Sequence, residues 1–317
     1  MVKIAIAGGS GNVGQEIIDV LVATKKHEIL LLSRKDAPPG ETAPSVTWVK
    51  TNYEDPEQLD ETLRGVDTVL SFITAHLDPG SVAQKGLIDA AVRAGVRRFA
   101  PSEWAMAKFD HMPWNDGKTE IREYLKQLNK DKKVLEYSLF VPGLFTNYLT
   151  RPYKSTKHVH PMETPIDFDQ RRLLMVEGRD DARITLTTVT DIVNVVARAI
   201  DYEGEWPVVG GIRGDTLAIG EIVKLGERVR GGTFKVERLQ ADDLNSGVVK
   251  SSWIPRPDHP SFTPEQIEAL AERLTAGILL GISVGAASVS DEWNQLLPDY
   301  KFTKAEDFLA EAWHGKP

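Results

Sequence analysis

The amino-acid sequence predicts an α/β protein built on a doubly wound parallel sheet, with a smaller C-terminal α/β lobe. Three observations carry this. Short, continuously apolar runs alternate with amphipathic stretches through the first half of the chain, the pattern of strands buried on both faces by helices. A glycine triplet separates the first run from the first amphipathic stretch. After Gly143 the alternation loosens, and helices return only later with start signals of their own. Right-handed crossovers make the doubly wound arrangement the economical topology.

The strands are expected at "KIAIAG", "EILLLS", "VTWV", "DTVLSFI", "VRRFAPS" and "LEYSLFVPG". Amphipathic stretches at 13–22 and 82–94 lie between them. In "WNDGKTEIREYLKQL", Asn115 or Asp116 is a natural N-cap, and Ile121, Leu125 and Leu128 recur at helical spacing. Residues 146–170 are broken by Pro and Tyr and show little periodicity. Thr190 or Asp191 then reads as the N-cap of "TDIVNVVARAI". Thr263 and Gln266 have capping-box spacing around Pro264, and Thr303 and Glu306 repeat the device. The domain expectation is a dinucleotide-binding domain over 1–145 with return segments near 173–210, interleaved with a substrate lobe over 146–317.

Composition excludes several function classes. The net charge is -8, which argues against a nucleic-acid footprint, and basic clusters such as "KDKK" at 130–133 are short. There is no Cys, so disulfides, thiolate catalysis and Cys-ligated metal are out; a reducing, cytoplasmic setting fits. No basic segment followed by an apolar one precedes the first strand. The apolar run at 276–289 is too short and too rich in Gly to suit a membrane span, and it reads as lining a pocket or packing in an interface. The expected partner is a small molecule, and a homodimer is compatible with the chain.

In "AIAGGSGNVGQEIIDVL", Gly8, Gly11 and Gly14 fall between a strand and a helix. A turn this tight needs residues without Cβ, so that backbone can approach a pyrophosphate. N–H groups of Ser10, Asn12 and Val13 at the helix start would face the anion. The second strand ends in Ser33, Arg34 and Lys35, and the first acid, Asp36, comes only after them. Arg suits a 2′-phosphate, so NADPH/NADP is expected rather than NAD(H); the plain alternative is an exposed basic loop. Ser71, Phe72 and Ile73 end the fourth strand, and Ser102 and Glu103 end the fifth. Ligands bind at the carboxyl ends of such strands.

Lys118 lies in the first turn of its helix, on the stripe of Ile121 and Leu125. The helix dipole and partial burial both disfavour its charge, the direction an acid–base lysine needs. A lysine snorkelling from a helix end is the plain alternative. Tyr153 and Lys157 in "YKSTK" have the spacing of a short-chain dehydrogenase pair but lie in loop-like sequence, too late in the chain. His158 and His160 have no third ligand in view, and no metal is expected.

The chain resembles the isoflavone reductase-like and NmrA-like proteins, atypical short-chain dehydrogenases. The resemblance spans most of the chain. It rests on "GGSGNVG", Arg34, "VRRFAPSEW", the Lys of "GKTEIREYL", "VPGLFTNYL", "TPIDF", "TLTTVTDIVNVVARAI" and "GDTLAIGEIVKLGERV". It implies a Rossmann-type domain with a small C-terminal lobe. It also implies NADPH-dependent reduction of a small aromatic, phenolic or enone-type molecule, with no catalytic Tyr and Lys118 as acid–base group. Trp114, four residues before Lys118, is then no damaged Tyr. Pro142, Gly143 and Phe145 would shape the nicotinamide pocket. Glu103, Trp104, Trp114, Tyr148 and Trp253 are candidate substrate contacts, and "WIPRPDHPSF" is a lid or a plain connector. One departure is Trp104-Ala105 where plant-type reductases read Phe-Gly. Regulators of this fold that sense NADP(H) without turnover are the alternative; they generally lack a Lys after the Ser-Glu motif.

Overall fold

The computed structural model describes residues 2–40, 43–256 and 263–317. Two compact units share the chain. One comprises Met1–Trp104, Trp114–Phe140 and Val193–Gly210; the other comprises Ala105–Pro113, Val141–Ile192 and Gly211–Pro317.

In the first unit, six strands form one sheet: β1 (Val2–Ala7), β2 (His27–Ser33), β3 (Val46–Lys50), β4 (Thr68–Ser71), β5 (Arg98–Ala100) and β6 (Glu136–Tyr137). Their order is β3-β2-β1-β4-β5-β6, and every neighbouring pair is parallel. The connections carry α1 (Asn12–Thr24), α2 (Pro56–Thr62), α3 (Val82–Arg93) and α4 (Asp116–Leu128). The last four residues of β1 and all of β4 are buried, which is why these runs are continuously apolar or neutral rather than alternating. Strand order reverses between β1 and β4, and loops after those strands meet at one edge of the sheet.

The run "LEYSLFVPG" is not one strand. It divides at Ser138, whose N–H completes the ladder on the Phe99 carbonyl at 3.1 Å. The Leu139 N–H turns instead to the Val208 carbonyl at 2.9 Å. The continuation, β7 (Leu139–Val141), therefore leaves the six-stranded sheet.

Arg98 explains why a strand of three residues holds. Its side chain is buried in the first unit, with Nε donating to Glu136 Oε1 at 2.7 Å and Nη1 to the Tyr202 carbonyl at 2.8 Å. Nη2 donates to the Gly204 carbonyl, and the guanidinium faces the Trp206 ring at 5.1 Å. Glu136 Oε1 also accepts the Trp206 N–H at 3.0 Å. One cation thus joins β5, β6 and the returning segment 193–210.

The second unit contains β8 (Leu144–Phe145), β9 (Ile166–Asp167), β10 (Arg172–Val176) and β11 (Arg183–Thr187). Next come α5 (Val189–Asp201), which carries the chain back to the first unit, and β12 (Val209–Gly211), which pairs with β7. The chain then supplies β13 (Asp215–Ala218), α6 (Ile219–Arg230), β14 (Lys235–Leu239), α7 (Ala241–Asn245), α8 (Pro264–Ser283), α9 (Glu292–Leu296) and α10 (Ala305–Trp313). Two three-stranded sheets form, β14-β10-β9 and β13-β11-β8. Their ladders keep residues 173–192 in this unit, so the return begins at Val193 and not near 173.

Two caps differ from expectation. For α5 the capping pair is Thr188 and Asp191, with the Asp191 N–H on Thr188 Oγ1 at 3.0 Å; Thr190 is exposed. Buried Asp191 also accepts from Tyr300 Oη at 2.8 Å and Thr303 Oγ1 at 3.2 Å. Thr303 is therefore engaged by Asp191 and does not cap α10. The Thr263–Gln266 box with Pro264 forms as read. In the run at 276–289, Ala276, Leu279, Leu280 and Ile282 pack into the core of the second unit. No helix of the described residues is long and apolar enough to cross a membrane.

Replacing Arg98 by Met leaves the Glu136 carboxylate without its buried partner. Urea unfolding is expected to show a loss of roughly 3–5 kcal/mol; a loss below about 1 kcal/mol, the value of an exposed pair, would contradict this role.

Candidate active site on the first unit

At the β1–α1 turn, Gly8 has φ +69°, and a Cβ there would lie 2.8 Å from the Phe72 carbonyl oxygen. A Cβ on Gly14 would lie 2.8 Å from the Gly9 Cα. Both glycines are thus required by close approach, while exposed Gly11 leads into the helix and donates its N–H to the Gly8 carbonyl at 3.0 Å. Asn12 and Val13 open α1, which has no side-chain cap and no acid in its first turn. Unsatisfied N–H groups and the positive helix end make an anion cradle there. Ser10 Oγ and Ser33 Oγ lie 3.1 Å apart, tying the loop to the end of β2.

Arg34 and Lys35 follow β2 and are exposed. The main chain around them is held: the Lys35 N–H donates to Ser33 Oγ at 3.1 Å, and Trp48 Nε1 donates to the Lys35 carbonyl at 3.0 Å. Asp36 is paired with Lys50 at 2.6 Å, so the acid beside the basic pair is matched by a cation of its own. The cradle and the adjoining cations fit a phosphorylated dinucleotide.

After β4, the Phe72 N–H returns to the Ala7 carbonyl at 2.7 Å, while Ser71 and Ile73 are buried. Trp104 is half-buried and anchored. Its ring stacks on Phe72 (centroids 4.5 Å, 14°) and on Phe140 (5.4 Å, 7°), and its Nε1 donates to the Ser71 carbonyl at 2.8 Å. The half-buried indole braces the ends of β4 and β5. Glu103 also departs from its expected role. Its carboxylate is buried and takes two hydrogen bonds from Arg122, at 3.0 and 2.7 Å, so a substrate would meet other groups first.

The Lys118 ammonium reaches the carboxyl end of β5. Nζ donates to the carbonyls of Ser102 at 2.7 Å and Glu103 at 2.6 Å. Its pKa is lowered to about 8, by burial first, opposed by the Glu103 charge and assisted by Arg122. Gln84 was not read from the sequence as part of this site. Its Oε1 accepts the Ser102 N–H at 2.7 Å. The legible signal was a polar residue on the buried stripe of α3 with Leu87, Ile88 and Ala91.

Of the remaining candidates, Trp114 belongs to the first unit and the others to the second. Trp114 is half-buried in the 3-10 turn Pro113–Asn115. Pro142, Gly143, Phe145, Tyr148 and Trp253 belong to the second unit. There Gly143 (φ +77°) is demanded by the Thr185 carbonyl, 2.5 Å from where a Cβ would sit. The Pro142 carbonyl accepts Thr187 Oγ1 at 2.7 Å. Phe145 stacks on Tyr148, whose phenol is pushed up by burial. Trp253 packs under the Arg172 guanidinium at 4.0 Å, and residues 257–262 of its loop lie outside the described residues. Tyr153 and Lys157 lie in a loop, and Tyr153 packs edge-on against Trp313. Among the described residues, no group of three or more His, Asp or Glu side chains is placed to hold a metal.

A sequence profile of the NmrA-like family matches residues 2–309. The chain belongs to the NmrA-like family. Among curated relatives, the oxidoreductase BOA1 of Botryotinia fuckeliana is 26% identical, over 97% of this chain and 100% of its own. Among solved structures, the NADPH-dependent quinone oxidoreductase QOR2 of Escherichia coli, in complex with NADPH, superimposes with a TM-score of 0.69 at 20% identity. That match covers 98% of this chain and 99% of the other. The triphenylmethane reductase of Citrobacter sp. gives a TM-score of 0.66 at 20% identity, over 98% and 99%. Solved neighbours at this identity share the fold of this NmrA-like protein.

Gly8→Ala is expected to destabilise the protein by about 1–3 kcal/mol, because the new Cβ combines a left-handed backbone with the Phe72 contact. Thermal melts test this, and an unchanged melting temperature would show that the loop relaxes freely.

Proposed function

We propose that this NmrA-like protein is an NADPH-dependent reductase that delivers hydride to a small aromatic, phenolic or enone-type acceptor, with Lys118 as its acid–base group. The observation that carries the reading is the Lys118 ammonium, held on two carbonyls at the carboxyl end of β5 with its pKa lowered to about 8. Hydride addition to a conjugated acceptor builds negative charge on an oxygen, and an ammonium near neutral pKa stabilises and then protonates such an oxyanion. Trp114 stands where a short-chain dehydrogenase would carry its Tyr. Lys118 therefore acts alone or through water.

Gly8, Ser10, Gly11, Asn12, Val13 and Gly14 would hold the pyrophosphate, and Arg34 with Lys35 the 2′-phosphate. Ser71, Phe72, Ile73, Ser102 and Lys118 would border the nicotinamide side of the first unit. NADPH, when bound, supplies the hydride. The second unit, with Pro142, Gly143, Phe145 and the Phe145–Tyr148 pair, is the proposed substrate lobe. The similarity to a quinone oxidoreductase and a triphenylmethane reductase, whose acceptors are conjugated, supports the substrate class.

The test is NADPH oxidation across a panel of quinones, aromatic enones and phenolic ethers. Wild type is expected to turn over at least one. Lys118→Ala should lower kcat by roughly 10²–10⁴, the usual worth of a positioned acid–base group, with NADP+ affinity retained. NADP+ binding without turnover on any panel member would favour the sensor over the reductase.

The protonated amine is the active form, so kcat/KM is expected to fall as pH rises through about 8. A profile flat from pH 6 to 10, on the order of two units either side of that value, would remove Lys118 as the proton donor. The stability term has a defined sign. A folded-state pKa below the usual 10.5 means that charged Lys118 disfavours folding below about 8, and this penalty fades as pH rises towards 10.5.

Arg34→Ala should weaken NADPH more than NADH, shifting the ratio of their KM values about ten-fold towards NADH. Equal effects on both would place the 2′-phosphate elsewhere.

A further inference from the structure

Tyr53 lies just after β3, in "TNYED", a stretch with no periodicity and no recognisable motif. It is a bulky residue in the left-handed region, at φ +67°, a conformation that persists only where the surroundings enforce it. The enforcing contacts are present. Its N–H donates to Thr51 Oγ1 at 3.1 Å, and Asn52 Oδ1 accepts the Glu54 N–H at 3.0 Å to close the turn around it. The side chain is buried.

The hydroxyl has two partners. It donates to the Leu32 carbonyl at 3.0 Å and accepts the Gly8 N–H at 3.0 Å. The Gly8 N–H is shared, because the Leu32 carbonyl also accepts it at 2.9 Å. The Phe72 carbonyl leaves no room for a Cβ on Gly8, and the Phe72 N–H donates to the Ala7 carbonyl at 2.7 Å, so the loop is flanked by β2 on one side and by the end of β4 on the other. Burial pushes the phenol up to about 12, so it stays protonated and able to donate across the working range.

We propose that Tyr53 is a positioning residue for the dinucleotide: its hydroxyl sets the depth of the β1–α1 loop and keeps the Gly8 N–H turned inward, leaving the α1 start to meet the phosphates. The proposal rests on the reading that NADP(H) occupies this loop. It assigns Tyr53 no contact with the cofactor. Its effect passes through Gly8, because a loop not fixed at its root must be ordered when the anion binds, and that ordering weakens affinity.

Tyr53→Phe removes one oxygen and keeps the ring, so the fold is retained. Titration calorimetry with NADP+ should show Kd raised about ten-fold, the scale of one hydrogen-bonded group. The KM for NADPH should rise in parallel, while kcat at saturating NADPH stays within roughly two-fold of wild type. A purely structural role would lower the melting temperature and leave Kd and KM where they were; that result overturns the proposal. Wild type that fails to bind NADP+ overturns the proposal together with the cofactor reading. Wild type that binds, with Tyr53→Phe binding equally, overturns the proposal alone.

Discussion

The buried guanidinium of Arg98 is the interaction on which the first unit depends. β5 has three residues, too few for its ladder to hold a register alone. Arg98 compensates by joining the β6 carboxylate of Glu136 to the carbonyls of Tyr202 and Gly204, with Trp206 across its face. Planar, permanently charged and five-donor, Arg satisfies several partners from one buried position, as Lys would not. The strand it secures runs directly into Ser102, Glu103 and Trp104.

From that strand end, the site is braced by stacking and by charge. Phe72, Trp104 and Phe140 stack in series, and Phe140 meets Trp206 edge-on at 5.3 Å, so the aromatic column begins at the β4 end and finishes beside Arg98. Trp104 lies at φ +44°, a strained backbone for a large residue. The stack and the indole hydrogen bond to Ser71 offset that strain. Buried Glu103 and half-buried Arg122 form an ion pair beside Lys118, so the lysine feels both signs and burial decides the direction of its shift. Stacking and ion pairing thus fix the side chains around the β5 end before any ligand is considered.

Much of this was legible in sequence where local chemistry leaves few alternatives. "GGSGNVG" between a strand and a helix demands a tight turn, and Gly8 and Gly14 prove sterically required. The α4 stripe placed Lys118 on an inward face because helical spacing is a local rule. Thr263, Pro264 and Gln266 cap α8 as their spacing requires. The failures share a cause. Thr303 met the capping-box pattern, but Asp191, more than a hundred positions away in sequence, claims its hydroxyl. Glu103 had the right residue type for a substrate contact, yet its buried carboxylate is taken up by Arg122. Gln84 and Tyr53 carried weak or no local signal, since their partners lie 18 and 45 positions away.

The doubly wound sheet, the tight β1–α1 turn and the basic pair after β2 are written in the sequence, because strand periodicity, Cβ exclusion and side-chain charge act within a few residues. Only the tertiary structure decided which side chains at the sheet edge remain available. It committed Trp104 to a stack, Glu103 to Arg122 and Gly8 to Tyr53, and brought the Lys118 ammonium onto the β5 carbonyls. Hydrogen bonds, ring stacking and burial depend on distances closed by the whole fold, and partners far apart in sequence leave no local pattern.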